Sequence, residues 1–497
     1  MPTHRSSIRS LALLALLLAA LIAACTPRVP NVEITSHTDG QRIFGSRTIT
    51  VAGTATNTPQ VQIVQNGTIV ATVAVVADAF TANVTLGDNL NELRVQTPNA
   101  LVGDDLDLVY PWVDATTFRP MDIVIGQPDK TSNLVGASAT QLGNFPYGTA
   151  AFVGGILYVP DCSNHRVLGY VGLPTSDGAA ADFVLGQASF TANTSNDDDQ
   201  DGVDDGAPTA RTMSCPSAVA SDGTRLLVAD ATNARILVYN ALPTTSFAPA
   251  DVVIGQSSMT TNDYTYCSLD APFAYLERLA VGGGKLVVPE YSGHRVLIWN
   301  TIPTTNGVEP DLVLGQPRTS ATCVFNDDDQ DGSNGDPSAR TFYNPWDAWT
   351  DGERLLVADY DNYRVLLWNT FPTSDFAPAD VVIGQSSMTN RTVGAGATGF
   401  DYAYTVASNG NQILVPDYER SRVLVYNAFP TSDGAAADAV LGQASFANTT
   451  RNDDDQDGVS DAGPSARTVG RSYGVWMGEG VMIVNDYGNS RYALYVD

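Results

Sequence analysis

The string LLVADATNARILVY (residues 226–239) is one of six that share a plan, and that plan decides the fold. The others are LYVPDCSNHRVLGY (157–170), LVVPEYSGHRVLIW (286–299), LLVADYDNYRVLLW (355–368), ILVPDYERSRVLVY (413–426) and MIVNDYGNSRYALY (482–495). In every copy an acid, Asp161, Asp230, Glu290, Asp359, Asp417 or Asp486, stands five positions before an arginine. An aromatic residue, Tyr170, Tyr239, Trp299, Trp368, Tyr426 or Tyr495, stands nine positions after the acid. Short apolar, β-branched runs on either side of a polar turn read as two paired strands.

A second string recurs between them: DIVIGQ at Asp122, DFVLGQ at Asp182, DVVIGQ at Asp251, DLVLGQ at Asp311, DVVIGQ at Asp380 and DAVLGQ at Asp438. With one further strand ahead of each pair, the unit holds four strands, and six such units predict an all-β fold with a six-bladed β-propeller of four-stranded blades over 119–497. The first Gly-Gln strand precedes the first complete set and the last aromatic strand has none after it. The N-terminal strand is therefore expected to close the last blade and leave no bare edge at the seam. VADATNARILVY and VADYDNYRVLLW resemble the core of the NHL-repeat propellers, a resemblance that runs from about Arg119 onward and departs at Glu290, Gly293 and Ser421. Features present in every unit, the acid, the arginine, the glutamine and the aromatic, read as structural, since recognition or catalysis breaks symmetry.

One motif belongs to alternate units. NDDDQDG begins at Asn196, Asn326 and Asn452; Gly-Gln spacings run 60, 69, 60, 69 and 58, each 69 contains one of the first two strings, and the third follows the final Gly-Gln. The repeat is thus a pair of units present three times. Carboxylates at alternate positions ahead of a glycine fit calcium, which takes six to eight oxygen ligands. The expected ligands are Asp197, Asp199, Asp201, the Val203 carbonyl and Asp205 in the first loop; Asp327, Asp329, Asp331, Ser333 and Asp336 in the second; and Asp453, Asp455, Asp457, Val459 and Asp461 in the third. Pro208, Ser338 and Pro464 stand where an EF-hand has its bidentate glutamate. The strings look instead like the calcium loops of thrombospondin type 3 repeats, and up to three weak calcium sites are expected. A solvated acidic loop is the alternative.

Acid turns and acidic loops emerge on one propeller face. Cys162, Cys215, Cys267 and Cys323 fall there too, and bonds Cys162–Cys215 and Cys267–Cys323 would each join adjacent blades, although four cysteines allow three connectivities. Related propellers include amidating lyases, gluconolactonase-like hydrolases and strictosidine-synthase-like proteins, which line a central channel with His, Glu or a metal. Here His165 and His294 sit in the turns, and no nucleophile elbow, Cys-His pairing or zinc spacing is visible, so no catalytic residue is assigned. Tyr147, Glu277, Arg278, Asp347 and Tyr404 are the residues that could meet in the channel.

At the N-terminus Arg5 and Arg9 precede an apolar run that ends in LIAAC, which resembles a lipobox. Residues 1–24 are expected to be a lipoprotein signal peptide, Cys25 the lipidated residue, and 25–30 a tether, with Thr26 matching outer-membrane sorting. Residues 31–112 alternate in short runs around an Asn66-Gly67 turn and resemble bacterial immunoglobulin-like sandwich modules. A net charge of −28 argues against nucleic acid. The expectation is a cell-envelope protein anchored to a membrane by lipid, at the outer membrane or cell surface, offering one face to a protein, peptide or glycan. The alternatives are a propeller enzyme and a purely architectural component.

Overall fold

The computed structural model describes residues 30–43, 47–144, 146–265, 267–269, 273, 276–318, 323–478 and 480–497. The expected signal peptide, Cys25 and all of the tether but Pro30 lie outside them. The chain divides into two compact units, Met1–Pro111 and Trp112–Asp497. Among the described residues no helix is long and apolar enough to cross a membrane.

The first unit is built from two sheets. One orders Asn31–Ile34, Thr48–Thr56 and Ala79–Thr85; the other orders Gln41–Arg42, Gly103–Tyr110, Asn89–Gln96, Gln60–Gln65 and Thr68–Ala74. Period-two burial follows from the pleat, which sends successive side chains to opposite faces. Val51, Val61, Ile63, Phe80, Val84, Leu93, Val95 and Leu108 are buried while their neighbours face out. Asn66 and Gly67 both take positive φ, 48° and 78°, which is what a two-residue turn matched to strand twist demands.

Among the described residues the second unit holds six four-stranded antiparallel sheets, five of them in chain order. The second sheet shows the plan: Pro216–Ser221, Leu226–Asp230, Arg235–Tyr239 and Val252–Ile254. In the sixth, Ser472–Gly478, Val481–Asp486 and Arg491–Val496 are completed by Ile123–Ile125, with Tyr492 opposite Ile125 and Leu494 opposite Ile123. Each sheet packs on the next, and Leu157 and Tyr170 of the first share a core with Ile483, Tyr492 and Leu494 of the sixth. The repeated aromatics fall one to each of the six inter-sheet cores. Four-stranded sheets stacked face to face in this way form a β-propeller.

The acid–arginine pairs are buried fastenings. Arg235 Nε donates to Asp230 Oδ2 at 2.7 Å with neither side chain exposed, and its Nη2 donates to the carbonyls of Thr209 and Thr212 at 2.8 and 2.9 Å. Asp230 Oδ1 accepts from Ser214 N–H at 2.7 Å. The same node recurs at Asp161–Arg166, Glu290–Arg295, Asp359–Arg364, Asp417–Arg422 and Asp486–Arg491. The residue ahead of each arginine is left-handed, and its carbonyl accepts from the repeated glutamine, as Tyr363 does from Gln385 at 2.8 Å. The longer Glu290 occupies space that an asparagine holds elsewhere: a Cβ at Gly293 would stand 1.7 Å from Glu290 Oε2.

Candidate functional site

Two sets of side chains depart from the sixfold repeat: the acidic loops and the residues that face the axis. In the loops, Asp197 accepts the backbone N–H groups of Asp201 and Gly202 at 3.1 and 2.9 Å, and Asp453 accepts those of Asp457 and Gly458 at 3.1 and 3.0 Å. Asp327 does the same with Asp331 and Gly332. Left-handed residues, Gln200 with Gly202, Gln330 with Gly332 and Gln456 with Gly458, wrap each loop round that carboxylate.

The carboxylates gathered within 4.8 Å of one another are Asp197, Asp199 and Asp205 in the first loop, Asp327, Asp329 and Asp331 in the second, and Asp453, Asp455 and Asp457 in the third. Each set could hold a metal ion. Asp201, Asp336 and Asp461 stand outside these sets. Asp201 Oδ1 is turned to Val203 N–H at 2.8 Å, as Asp331 is to Ser333 and Asp457 to Val459. Asp205 and Asp461 accept from Asp198 and Asp454 N–H.

The first asparagine of each string is a clasp. Asn196 and Asn233 exchange side-chain hydrogen bonds of 3.1 and 2.9 Å, Asn326 and Asn362 of 3.0 and 2.9 Å, Asn452 and Asn489 of 3.0 and 3.0 Å. The second asparagine of each pair also donates to the acid of a node, as Asn233 does to Asp230 at 2.8 Å. Each loop is thereby fastened to the buried ion pair of the following sheet.

At the axis, the residues standing thirteen or fourteen before the node acid are Tyr147, Ser217, Glu277, Trp346, Tyr404 and Tyr473. In the even sheets the register slips between Pro216 and Ala218, Pro345 and Asp347, and Ser472 and Gly474, so Ser217, Trp346 and Tyr473 occupy β-bulges. A bulge re-aims its extra side chain, here among those of the other sheets. Tyr473 lies 4.8 Å from Tyr147, 4.4 Å from Tyr404 and 6.4 Å from Trp346, ring centre to ring centre. The residue after the node acid adds a second tier: Tyr291, Tyr360, Tyr418 and Tyr487 pack on the first, with Tyr360 4.5 Å from Tyr404 and Tyr487 4.6 Å from Tyr473. Most of these rings are half-buried and make a basin of aromatic surface. Cys162 and Ala231 are the small residues that follow the node acid in the first two sheets.

Arg278, beside Glu277, is fully buried. Its Nη1 donates to the Ser217 carbonyl at 2.9 Å and Nη2 to the Tyr473 carbonyl at 2.8 Å, so one side chain links the second, third and sixth sheets. Its guanidinium lies 5.1 Å from the Tyr147 ring. Burial raises the Glu277 carboxyl while Arg278 opposes the rise, and the Tyr147 hydroxyl donates to it. Burial pushes Asp347, on the fourth sheet, up to about 7, against the pull of Arg278 and of the Val406 N–H it accepts at 3.1 Å. Tyr473 is pushed up to about 12 by burial, and the Tyr147 and Tyr404 hydroxyls are raised by the same cause, so all three remain donors at neutral pH. Thr149 Oγ1, Glu277 Oε2, Arg278 Nε, Trp346 Nε1, Thr405 Oγ1 and Asn485 Oδ1 are buried without a hydrogen-bond partner.

Sequence reasoning named Tyr147, Glu277, Arg278, Asp347 and Tyr404 for the channel, and the structure brings them together. It missed Trp346, Tyr473 and the tier above them. A tyrosine directly after the acid in four of the six strings was the available signal. Cys162 and Cys215 are bonded with sulfurs 2.03 Å apart, tying the first turn to the start of the second sheet, and Cys267 is bonded to Cys323. His165 and His294 are turned to backbone, their Nδ1 atoms accepting from Cys215 and Asn344 N–H at 3.1 and 3.2 Å. Burial lowers both, His294 to about 4.

No protein-family profile matches the chain, and no curated protein matches it. Among solved structures, 75% of the chain is similar to the whole of the PQQ-bound aldose sugar dehydrogenase from Streptomyces coelicolor, at 14% identity and a TM-score of 0.37. In the nidogen/laminin complex, 74% of the chain matches 89% of a chain at 11% identity and a TM-score of 0.30. A segment of 16% of this chain is similar to 12% of the length of the FMN-binding β-glucuronidase from Facaelibacterium prausnitzii L2-6, at 25% identity and a TM-score of 0.14. Likenesses this distant transfer no activity. The propeller rests on the order and packing of the sheets themselves.

Proposed function

We propose that this chain is a lipid-anchored binding protein of the cell envelope, a six-bladed NHL-like propeller carried on an immunoglobulin-like spacer. Cys25 holds it to the membrane, with Thr26 directing it to the outer membrane or cell surface. The aromatic basin receives a protein, peptide or glycan partner. One observation carries the reading: the sixfold repeat gives way at the axis, where a tyrosine and tryptophan surface replaces residues that structure alone would repeat. Tyrosine and tryptophan combine a large apolar area with a polar handle, and they dominate binding surfaces for that reason. The six-bladed reading is supported by six four-stranded sheets with shared cores and by the pairing of Ile123–Ile125 with the last strand.

Calcium braces the same face. The three carboxylate sets would supply hard oxygen ligands on backbone already wrapped around one of them, and the Val203 and Val459 carbonyls and Ser333 would add to the shell. When bound, the ion neutralises each cluster and stiffens a loop that the asparagine clasps fasten to the propeller. With no bidentate glutamate at the twelfth position, affinity falls in the range of extracellular modules, about 10⁻⁴ to 10⁻³ M.

The test is capture from solubilised envelope by the immobilised protein in millimolar calcium, repeated with EGTA. Capture that chelation weakens is expected. Capture indifferent to EGTA removes calcium from the proposal, and the absence of any captured partner overturns the binding role. A second reading, an axial hydrolase or lyase, draws on the raised Glu277 carboxyl beside Tyr147. It is weakened by Arg278, whose charge opposes that rise. Turnover of lactones or amidated peptides that Glu277→Gln abolishes would replace the binding role with catalysis.

A further inference from the structure

The ligand class can be narrowed from the charge balance and the unpartnered polar atoms of the basin, an inference that rests on the binding role proposed above. In a protein of net charge −28 the basin is close to neutral. Arg471 pairs with Glu419 at 3.0 Å and Arg420 with Asp401 at 3.7 Å on the rim. Asp361 accepts from Asn344 at 2.6 Å, with Arg391 close to it. On the axis Arg278 stands against Glu277 and Asp347. A cationic ligand would meet Arg278 and an anionic one Glu277 and Asp347, each with a desolvation cost that no spare counter-charge offsets.

The unpartnered atoms are mixed in kind. Arg278 Nε and Trp346 Nε1 are donors, Glu277 Oε2 and Asn485 Oδ1 are acceptors, and Thr149 and Thr405 hydroxyls are both. Arg278, Thr405 and Asn485 are each at least 99% buried. Other such atoms belong to the repeated aromatics and glutamines, whereas these six lie on or beside the inner strands and depart from the repeat, so a polar group from outside would satisfy them. A ligand that answers donors and acceptors together, carries no charge and lays flat apolar C–H faces on tyrosine and tryptophan rings is a sugar. We propose that the axial basin binds a neutral carbohydrate. A pyranose face stacks on the rings of Trp346, Tyr360 and Tyr473, and its hydroxyls turn inward to Glu277 and the Trp346 indole N–H.

A printed array of neutral, uronate and amino-sugar oligosaccharides, probed with the full-length protein in calcium, reads the class directly. Neutral oligosaccharides alone are expected to bind. Titration calorimetry with the best of them should show affinity falling about tenfold in Trp346→Ala and in Tyr360→Ala, each removing one stacking ring. Tyr360→Ala is the safeguard, since Tyr360 stands in a turn outside the sheets, and circular dichroism confirms that both variants fold. A blank array, or one with charged sugars only, overturns the proposal, as does neutral-sugar binding that neither variant weakens. A protein partner captured from envelope while the array stays blank overturns the sugar and leaves the binding role standing.

Discussion

At the scale of single residues, the arginine nodes and the axial carboxylates are both buried charge, arranged to different ends. In the fourth node both carboxylate oxygens of Asp359 accept, and Arg364 donates to Asp359 at 2.7 Å and to the carbonyls of Ser338 and Thr341, each at 2.9 Å. Removing one partner strands the other's charge out of water, so Arg364→Met is expected to cost about 3–5 kcal/mol of unfolding free energy. Chemical denaturation of the two proteins measures it, and a loss under about 1 kcal/mol, the worth of an exposed pair, would contradict the account. Asp347 is different, since Arg278 is near but no ion pair forms and burial holds its carboxyl up at about 7. A carboxyl raised in the folded state favours the protonated form. The stability it brings is complete in acid, below the carboxyl's value in the unfolded chain, and is lost as pH rises through about 7. Asp347→Asn keeps an acceptor for the Val406 N–H without the charge. Its melting temperature should exceed that of the parent at pH 8 and match it near pH 4, the difference growing by about 1.4 kcal/mol per unit over which the two values are separated. Equal differences at both pH values would show that Asp347 does not titrate.

At the scale of elements, what was legible in the sequence is what hydrogen-bond geometry forces to repeat. An arginine that must reach three carbonyls and a carboxylate tolerates no substitute, so the nodes stand out as strings, and the acidic loops stand out because a carboxylate at alternate positions is needed to cap successive backbone N–H groups. The axis was only partly legible. In the odd sheets its side chains stand just ahead of inner strands as short as Ala407–Ser408, and in the even sheets they stand in bulges, of which the sixth sheet's alone has a glycine, Gly474, beside it. The clasp was hidden for another reason: Asn452 reads as one more polar residue of an acidic run, yet it is buried and paired with Asn489. Asn452→Ala leaves the Asn489 amide short of a partner, and a buried group so left costs about 1–3 kcal/mol. Hydrogen exchange should then quicken across residues 452–461. Asp455→Ala, at an exposed carboxylate in the same loop, should leave stability without calcium unchanged. If both variants lose stability equally, the loop is held by its carboxylates and the clasp is incidental.

At the scale of the whole molecule, the strand at Ile123–Ile125 is paired with one from the far end of the chain. Ile123–Ile125 pairs with Arg491–Val496, and Val124 and Ile125 are fully buried in cores shared with the fifth and first sheets. The residues just ahead of that strand are committed to the same unit: Val113 exchanges hydrogen bonds of 2.8 and 3.0 Å with Gln412, and Arg119 reaches Asp122 at 2.9 Å and Asp497 at 3.1 Å. The unit that begins at Trp112 keeps these bonds, and one that begins at Gly126 has lost a strand of the sixth sheet and apolar groups from two cores. Uncovering that edge removes three residues of ladder and their burial at once, at roughly 1.5–3 kcal/mol for each large apolar side chain exposed. Expressed from Trp112, the propeller should unfold in one cooperative transition, with the melting temperature of the second unit in the full chain. Expressed from Gly126, it should melt well below that temperature or associate through the bare edge of Arg491–Val496, which size-exclusion chromatography would show as a concentration-dependent shift. A chain starting at Gly126 that stays monomeric and melts with the longer one would mean that the ring does not depend on its N-terminal strand.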